Sequence, residues 1–316
     1  MLVTVAICTW NRAKLLDQTL AEMQKLVIPD GVEWELLVVN NNSTDETDEV
    51  ISRYANTLPI VRLFEPKAGK SYAANLALEH VSGELLVWTD DDVLVSPEWL
   101  SAYASAARRW PAASFFAGAI EPWFENEPPC WVKRNIRRLR CVYVIADLGD
   151  VERGIAPEDG VYGANLAFRA NVAKQYPLNP SLGRIRDELI GADDTDVVRR
   201  VTSAGMHGVV VPSARVRHFV PASRLNRRYV WNWFRGAGRN LVLCGGISAS
   251  KTVFGVPRWA ARKYIEKQLL AWSLSPFGNA AWFDAFVTAA RLRGVMQQVR
   301  LSKVGIFAAV ERPEQS

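Results

Sequence analysis

Over the first hundred residues, short apolar runs alternate with stretches of helical period. Leu2–Thr9 is a nearly unbroken β-type run, and residues 12–26 then set Leu15, Leu16, Thr19, Leu20 and Met23 on one side of a helix. Residues 34–40 form a second apolar run. After it, Ser43, Thr44 and Asp45 offer N-cap chemistry to a helix with Glu46 in its first turn. Residues 59–64 predict a third strand, 71–81 a helix and 84–89 a fourth strand, and Pro97 suits the first position of the next helix. Continuous apolar strands separated by helices imply an α/β fold, with a mostly parallel, Rossmann-like sheet covered by helices on both faces. Such sheets bind ligands at the carboxyl ends of their strands.

The middle is less regular. Residues 121–140 carry Pro122, Pro128 and Pro129 among aromatics and basic residues, and they read as a long loop. Order returns at residues 162–169, at a helix over 194–204, and at two short strands, 207–211 and 214–220. Beyond Pro221 the pattern is helical. The expected organisation is therefore one domain over 1–220 and a helical C-terminal region over 221–316. A chain of 316 residues can bury a sizeable core. No apolar run reaches the ~18 residues of a membrane span, and the start lacks the basic leader and long core of a signal peptide. Cys8, Cys130, Cys141 and Cys244 stand too far apart for zinc spacing. A cytoplasmic chain with reduced thiols is the expectation.

Charge sharpens the division. The net charge is +5, yet residues 201–303 hold sixteen Lys or Arg and only two acids, Glu266 and Asp284. Such a region reads as a surface for phosphates, anionic lipid or nucleic acid; nucleic acid is not the partner expected here. Over 258–272, Arg258, Arg262, Lys263, Glu266 and Lys267 share one helical face, with Ala261, Tyr264, Ile265, Leu269 and Trp272 on the other. Residues 279–296 are also amphipathic, through Trp282, Phe283, Phe286 and Leu292. Two readings stay open: these faces pack on the catalytic domain, or they lie against the inner face of a membrane.

Four groups carry candidate chemistry. Asp90, Asp91 and Asp92 follow an apolar strand, and three carboxylates there repel one another unless a cation neutralises them. Oxygen ligands suit Mg²⁺ or Mn²⁺, which keep positions open for phosphates; the bland alternative is a solvated acidic turn. Asp193 and Asp194, in the run Gly191-Ala192-Asp193-Asp194-Thr195-Asp196, supply either a general base or a helix cap. His218 is a structural histidine or an added metal ligand. Asn40, Asn41 and Asn42 either read a base and ribose or form an ordinary turn. Ala68-Gly69-Lys70-Ser71 imitates the end of a P-loop, but Phe64 stands where that motif needs glycine.

In this order the pieces resemble family 2 glycosyltransferases of the GT-A fold. They are Ala6 to Arg12, Val38 to Asp45, Asn75, the DxD motif Asp90-Asp91-Asp92, Tyr162 to Arg169, Asp193-Asp194 and Val211 to His218. The resemblance covers residues 3–220 and implies roles. Thr9, Asn11, Arg12, Asn40, Asn41, Lys70, Asn75, Asp90 and Asp91 would hold the nucleotide, and Gly163 and Asn165 would wall the donor sugar and acceptor. Asp92, with Asp90 and His218, would bind Mg²⁺ or Mn²⁺. Asp194 would be the base, with Asp193 the runner-up. The implied reaction moves a sugar from a nucleotide diphosphate, UDP or TDP favoured, to a glycan or lipid-linked hydroxyl with inversion. Polysaccharide or glycolipid assembly at the cell envelope would be its setting. The rivals are a sugar-nucleotide nucleotidyltransferase and a non-catalytic nucleotide-sugar-binding module. The first should show a glycine-rich triphosphate loop after strand one, and Thr9 to Arg12 holds no glycine. The second should have lost acidic positions, and both clusters stand.

Overall fold

The computed structural model describes residues 1–180, 182, 193–243, 252–253, 255–275 and 278–303. Gly191, Ala192 and Cys244, singled out above, lie outside them. The chain divides into two compact units, one of residues 1–125 and 140–220, the other of 126–139 and 221–316.

The first unit opens with β1 (Leu2–Thr9), α1 (Ala13–Met23), β2 (Glu33–Asn40), α2 (Thr47–Tyr54), β3 (Ile60–Phe64), α3 (Lys70–His80) and β4 (Leu85–Asp90). β3, β2, β1 and β4 are parallel neighbours in that order. The middles of β2, β1 and β4 are fully buried, as strands covered on both faces must be: Val5, Ala6, Ile7, Leu37, Val38, Leu86 and Val87 show no exposed surface. β3, at the sheet edge, leaves Val61, Arg62 and Phe64 exposed. β5 (Val93–Val95), α4 (Trp99–Arg109) and β6 (Phe115–Phe124) follow. Pro97 lies two residues ahead of α4, in a turn closed by the Trp99 amide on the Ser96 carbonyl.

The second half of the sheet is mixed. It adds β7 (Arg153–Gly154), β8 (Asn165–Arg169) and β9 (Gly208–Val220), with α7 (Ala170–Gln175) and α8 (Asp193–Ser203) between β8 and β9. β8 runs antiparallel to β4 and β6, while β6 and β9 are parallel. The two strands expected over 207–220 are one. β9 is continuous, and its register against β6 slips after Gly118, so that Val211 faces Gly118 and Arg215 faces Ala119. Asn165 fills the gap. Its Nδ2 donates to the Ala119 and Ala214 carbonyls, and its Oδ1 accepts from Trp99 Nε1 and Tyr103 Oη. A Cβ on Gly118 would sit 2.2 Å from that Nδ2, which explains the glycine.

Residues 121–140, expected as a loop, are largely ordered. β6 continues through Pro122, and α5 (Cys130–Arg134) and α6 (Ile136–Tyr143) follow. Proline is tolerated in a strand where its missing N–H is not needed by a neighbour; Pro129 starts α5 for the same reason.

In the second unit α9 (Arg227–Leu243) precedes a short hairpin, β10 (Thr252–Val253) and β11 (Val256–Pro257), then α10 (Arg258–Ser273) and α11 (Ala280–Lys303). The apolar residues of α11 pack: Trp282 and Phe283 are buried in a ring cluster with Trp131, Trp231, Phe234 and Phe286, and Leu292 is buried with Val256, Ala260 and Met296. Those of α10 divide otherwise. Tyr264 turns inward, while Ile265, Leu269 and Trp272 are exposed on the same stripe as Arg258 and Arg262.

Candidate active site

The acidic turn lies where parallel strands end. Cys8 of β1 pairs with Asp90 of β4, and Asp91 and Asp92 make the turn into β5. Thr19 of α1 fixes that turn: its hydroxyl donates to the Asp91 carbonyl at 3.0 Å and accepts from the Val93 amide at 3.2 Å. Side-chain cations neutralise the carboxylates. Arg12 Nη1 lies 2.9 Å from Asp91 Oδ1 and 2.8 Å from Asp92 Oδ2, and Lys70 Nζ lies 2.5 Å from Asp90 Oδ1. Lys70 is the first residue of α3, delivered by Gly69 at φ 138°, a backbone setting few side chains allow.

These neighbours separate the three acids. Burial opposes ionisation of Asp90, but the Lys70 ammonium overrides it and holds the carboxyl at about 2. Asp91 moves the other way. Burial, helped by the charges of Asp92 and Asp90, raises it to about 6 against the pull of Arg12. Burial likewise pushes the Cys8 thiol up to about 12, so it is an inert wall residue rather than a nucleophile.

Facing Asp90 is a pocket of about 490 Å³ of empty space. Cys8, Trp88, Leu166 and Phe168 form its sheet floor, with Ala74, Leu178 and Val197 as apolar walls. Lys70, Asp90, Gly163, Asp193 and Asp194 supply its polar atoms. Asp193 is buried and accepts from Ser71 Oγ at 3.1 Å. Burial and the charge of Asp194 raise its pKa, against the pull of Lys70. Asp194 accepts from the Gly163 amide at 2.9 Å and, through its other oxygen, from the Thr195 amide at 2.7 Å. The two acidic clusters, 101 positions apart from Asp92 to Asp193, thus meet at one pocket through Lys70.

Other residues of the expected set make internal bonds. Asn40 donates to Asp48 and accepts from the Ser43 amide. Asn41 holds the carbonyls of Glu65 and Lys67 and the amide of Gly69, shaping the loop that presents Lys70. Asn75 bonds both backbone groups of Leu178, and Asn11, at φ 51°, clasps the Ser43–Thr44 backbone and hydroxyl groups. Thr9 is buried beneath the turn. Sequence reasoning missed Ser71, Thr19, Trp88 and Leu178. Ser71 alone left a signal, as the last residue of the false P-loop.

The donor set fits a divalent cation. One ligand atom each from Asp90, Asp92 and His218 lie within 4.8 Å of one another. Asp92 Oδ1 is buried, accepts no hydrogen bond among the described residues and lies 3.4 Å from His218 Nε2. An ionised oxygen buried without a donor is costly unless a cation faces it, and two carboxylates with one imidazole suit Mg²⁺ or Mn²⁺.

Residues 4–148 match the model of glycosyl transferase family 2. The chain is 24% identical to the succinoglycan biosynthesis protein ExoM of Rhizobium meliloti, over 70% of this chain and 68% of that protein. Other curated relatives match over shorter stretches, the chain spanning 25% of one and 28% of another. Among solved structures, the mannosyltransferase PcManGT of Pyrobaculum calidifontis, in complex with GDP-Man and Mn²⁺, aligns with a TM-score of 0.58. Its identity is 19%, covering 98% of this chain and 76% of that one. TarS 1–349 of S. aureus in complex with UDP aligns at 0.55 and 15% identity, covering 94% and 92%. The GT-A architecture, a mostly parallel sheet flanked by helices with a helical C-terminal region, is shared with these neighbours.

Proposed function

We propose that the chain, whose residues 4–148 match glycosyl transferase family 2, is a glycosyltransferase that carries out an inverting sugar transfer at the pocket between Asp90 and Asp194. The donor is a nucleotide diphosphate sugar, UDP- or TDP-linked, and the acceptor is a hydroxyl of a glycan or lipid-linked glycan. The setting is polysaccharide or glycolipid assembly at the inner face of the membrane. ExoM, named for succinoglycan biosynthesis, supports the setting, and the UDP-bound TarS neighbour supports the nucleotide. The carrying observation is that Asp90 of the first acidic cluster and Asp193 and Asp194 of the second line one pocket at the end of the parallel strands β1 and β4.

Asp90, Asp92 and His218 are the residues that would hold Mg²⁺ or Mn²⁺. When bound, that ion would supply charge stabilisation for the departing diphosphate. Lys70 adds a fixed positive charge at the same edge, preorganised by Asp90. Asp194 accepts the proton of the incoming hydroxyl, and the Gly163 amide holds its carboxylate in place for that step. Asp193 is the second candidate, since it lines the same pocket beside Asp194 and is held there by Ser71 Oγ. The apolar floor of Trp88, Leu166 and Phe168 excludes water from the pocket.

The test is a panel of nucleotide sugars scored by transfer, hydrolysis and thermal stabilisation, each with Mn²⁺, with Mg²⁺ and with excess EDTA. Stabilisation by at least one UDP- or TDP-sugar, lost with EDTA, is expected. Full transfer in EDTA overturns the metal assignment. A product formed from a nucleoside triphosphate and a sugar phosphate overturns the reaction class.

A further inference from the structure

Helix α10 of the second unit is built with its small residues inward. Ala260, Ala261, Tyr264 and Ala271 face the packed side, beside Val256, Leu292 and Met296 of its own unit. Its large apolar residues face out: Trp259 is 48% exposed, Ile265 58%, Leu269 61% and Trp272 76%. A helix of a soluble protein places such side chains the other way round. Positions 258, 262, 265, 269 and 272 follow i, i+4 and i, i+3 spacing, so they form one stripe along the helix. That stripe is cationic in its first half, Arg258 and Arg262, and apolar in its second, Ile265, Leu269 and Trp272.

We infer that this stripe lies in the interface of an anionic lipid bilayer. The observations select lipid over a protein partner by their charge and their aromatic placement. The second unit holds nineteen Lys or Arg against five Asp or Glu, so it carries +14 while the first unit carries −9. Within α10 the one acid, Glu266, is already paired with Lys267. Tryptophans stand near both ends of the helix, and tryptophan favours the boundary between headgroups and acyl chains. Arginine stems reach past apolar neighbours to keep their charge among lipid phosphates, so cations at one end and apolar residues at the other fit an obliquely seated helix. No described helix is long and apolar enough to cross a membrane, so the contact is made in the plane of the surface. The inference deepens the proposed function by naming the element that meets a lipid-linked acceptor, and it stands or falls separately from catalysis.

The experiment is co-sedimentation of the full chain with phosphatidylcholine vesicles, with and without phosphatidylglycerol, at low salt. Two variants accompany it: a triple Ile265→Ser, Leu269→Ser, Trp272→Ser, and a triple Arg258→Glu, Arg262→Glu, Lys263→Glu. All six positions are exposed, and circular dichroism together with donor binding checks that the variants fold. Binding to the anionic vesicles is expected, reduced about tenfold or more by either variant. Wild-type protein left in the supernatant overturns the inference, as does binding that neither variant weakens. Self-association without lipid, abolished by the serine variant, overturns it too and assigns the stripe to a second copy of the chain.

Discussion

At the scale of single residues, the proposed mechanism separates a carboxylate that meets the acceptor from one that holds the donor. Asp194 faces the pocket and is oriented by the Gly163 amide, whereas Asp92 points its unbonded Oδ1 toward His218. A base acts only as the acceptor loses its proton, so removing it leaves ground-state donor binding nearly intact. General-base catalysis contributes ~10²–10⁴-fold, and Asp194→Asn is expected to lower turnover by about that factor with nucleotide affinity and melting temperature little changed. Asp92→Asn should instead weaken cation-dependent nucleotide binding. Asp193→Asn discriminates between the neighbours in steady-state assays. If its turnover falls much further than that of Asp194→Asn, Asp193 is the base; if both stay near wild type, the pair serves only as the start of α8. Asp90 to Asp92 were legible in the sequence because uncompensated carboxylates at a strand end need a reason, and Asp193 and Asp194 because they open a helix with adjacent acids. The cations were less so: Arg12 lies 79 positions before Asp91 and Lys70 20 before Asp90, separations at which only the fold reveals a pair.

At the scale of elements, legibility followed burial. β1, β2 and β4 are buried through their middles and so read as apolar runs, while the edge strand β3 was read from a shorter apolar run despite its exposure. β5 has three residues, too few for any period, and β6 is interrupted by Gly118 and Pro122. Gly118 is needed by the Asn165 side chain, a tertiary demand that no local pattern carries. α10 misled for a different reason: positions 258, 262, 265, 269 and 272 recur at three- and four-residue spacing and so share one stripe, which the division into a charged and an apolar face overlooked. Two predictions belong here. Asp45 accepts from Ala13 N at 2.9 Å and from Thr47 N at 3.2 Å, so one carboxylate serves the starts of both α1 and α2. Burial works against its charge, but the Thr47 and Ala13 donors outweigh it and lower its pKa. Its stabilisation is therefore present above the ordinary Asp value of ~3.9 and is lost as pH falls through the depressed folded value. Asp45→Ala should cost about 1–2 kcal/mol in urea unfolding at neutral pH, and the gap from wild type should close in strong acid. The second concerns the crossing of α9 and α11. A Cβ on Gly238 would stand 2.0 Å from the Arg291 carbonyl oxygen, and one on Gly294 1.9 Å from that of Arg235. Backbone cannot yield as a side-chain tip can, so Gly238→Ala or Gly294→Ala should each cost about 3 kcal/mol. The double variant should cost less than their sum, because both open the same crossing. Gly154→Ala, with nothing within 4 Å of its added Cβ, is the control and should stay within about 0.5 kcal/mol of wild type. Losses at Gly238 and Gly294 no larger than at Gly154 would show that the crossing does not govern the effect.

At the scale of the whole molecule, a net charge of +5 hides two units of opposite sign, +14 and −9. The negative unit would bind a negatively charged donor on the proposed reading, through local cations, Arg12 and Lys70, and a candidate cation site. Those charges are partly buried and act over a few ångströms, so salt screens them weakly. The positive unit is different. Arg258, Arg262 and Lys263 of α10 are exposed, and their attraction to anionic lipid acts through water, where the Debye length is about 10 Å at 0.1 M salt. One enzyme should therefore show two salt responses, depending on where its acceptor resides. With a lipid-linked acceptor in anionic vesicles, raising NaCl from about 50 mM to about 300 mM should lower the rate about tenfold or more, because surface attraction is worth about 1 kcal/mol per cation before screening. With a water-soluble acceptor analogue and the same donor, the rate should change by no more than about twofold, since binding there depends on the shielded pocket. The serine variant of α10 should reproduce the high-salt behaviour at low salt: slow on vesicles, normal on the soluble analogue. Parallel loss on both acceptors would mean that salt or substitution acts on the pocket itself. The charge division would then have no part in bringing the acceptor to the enzyme.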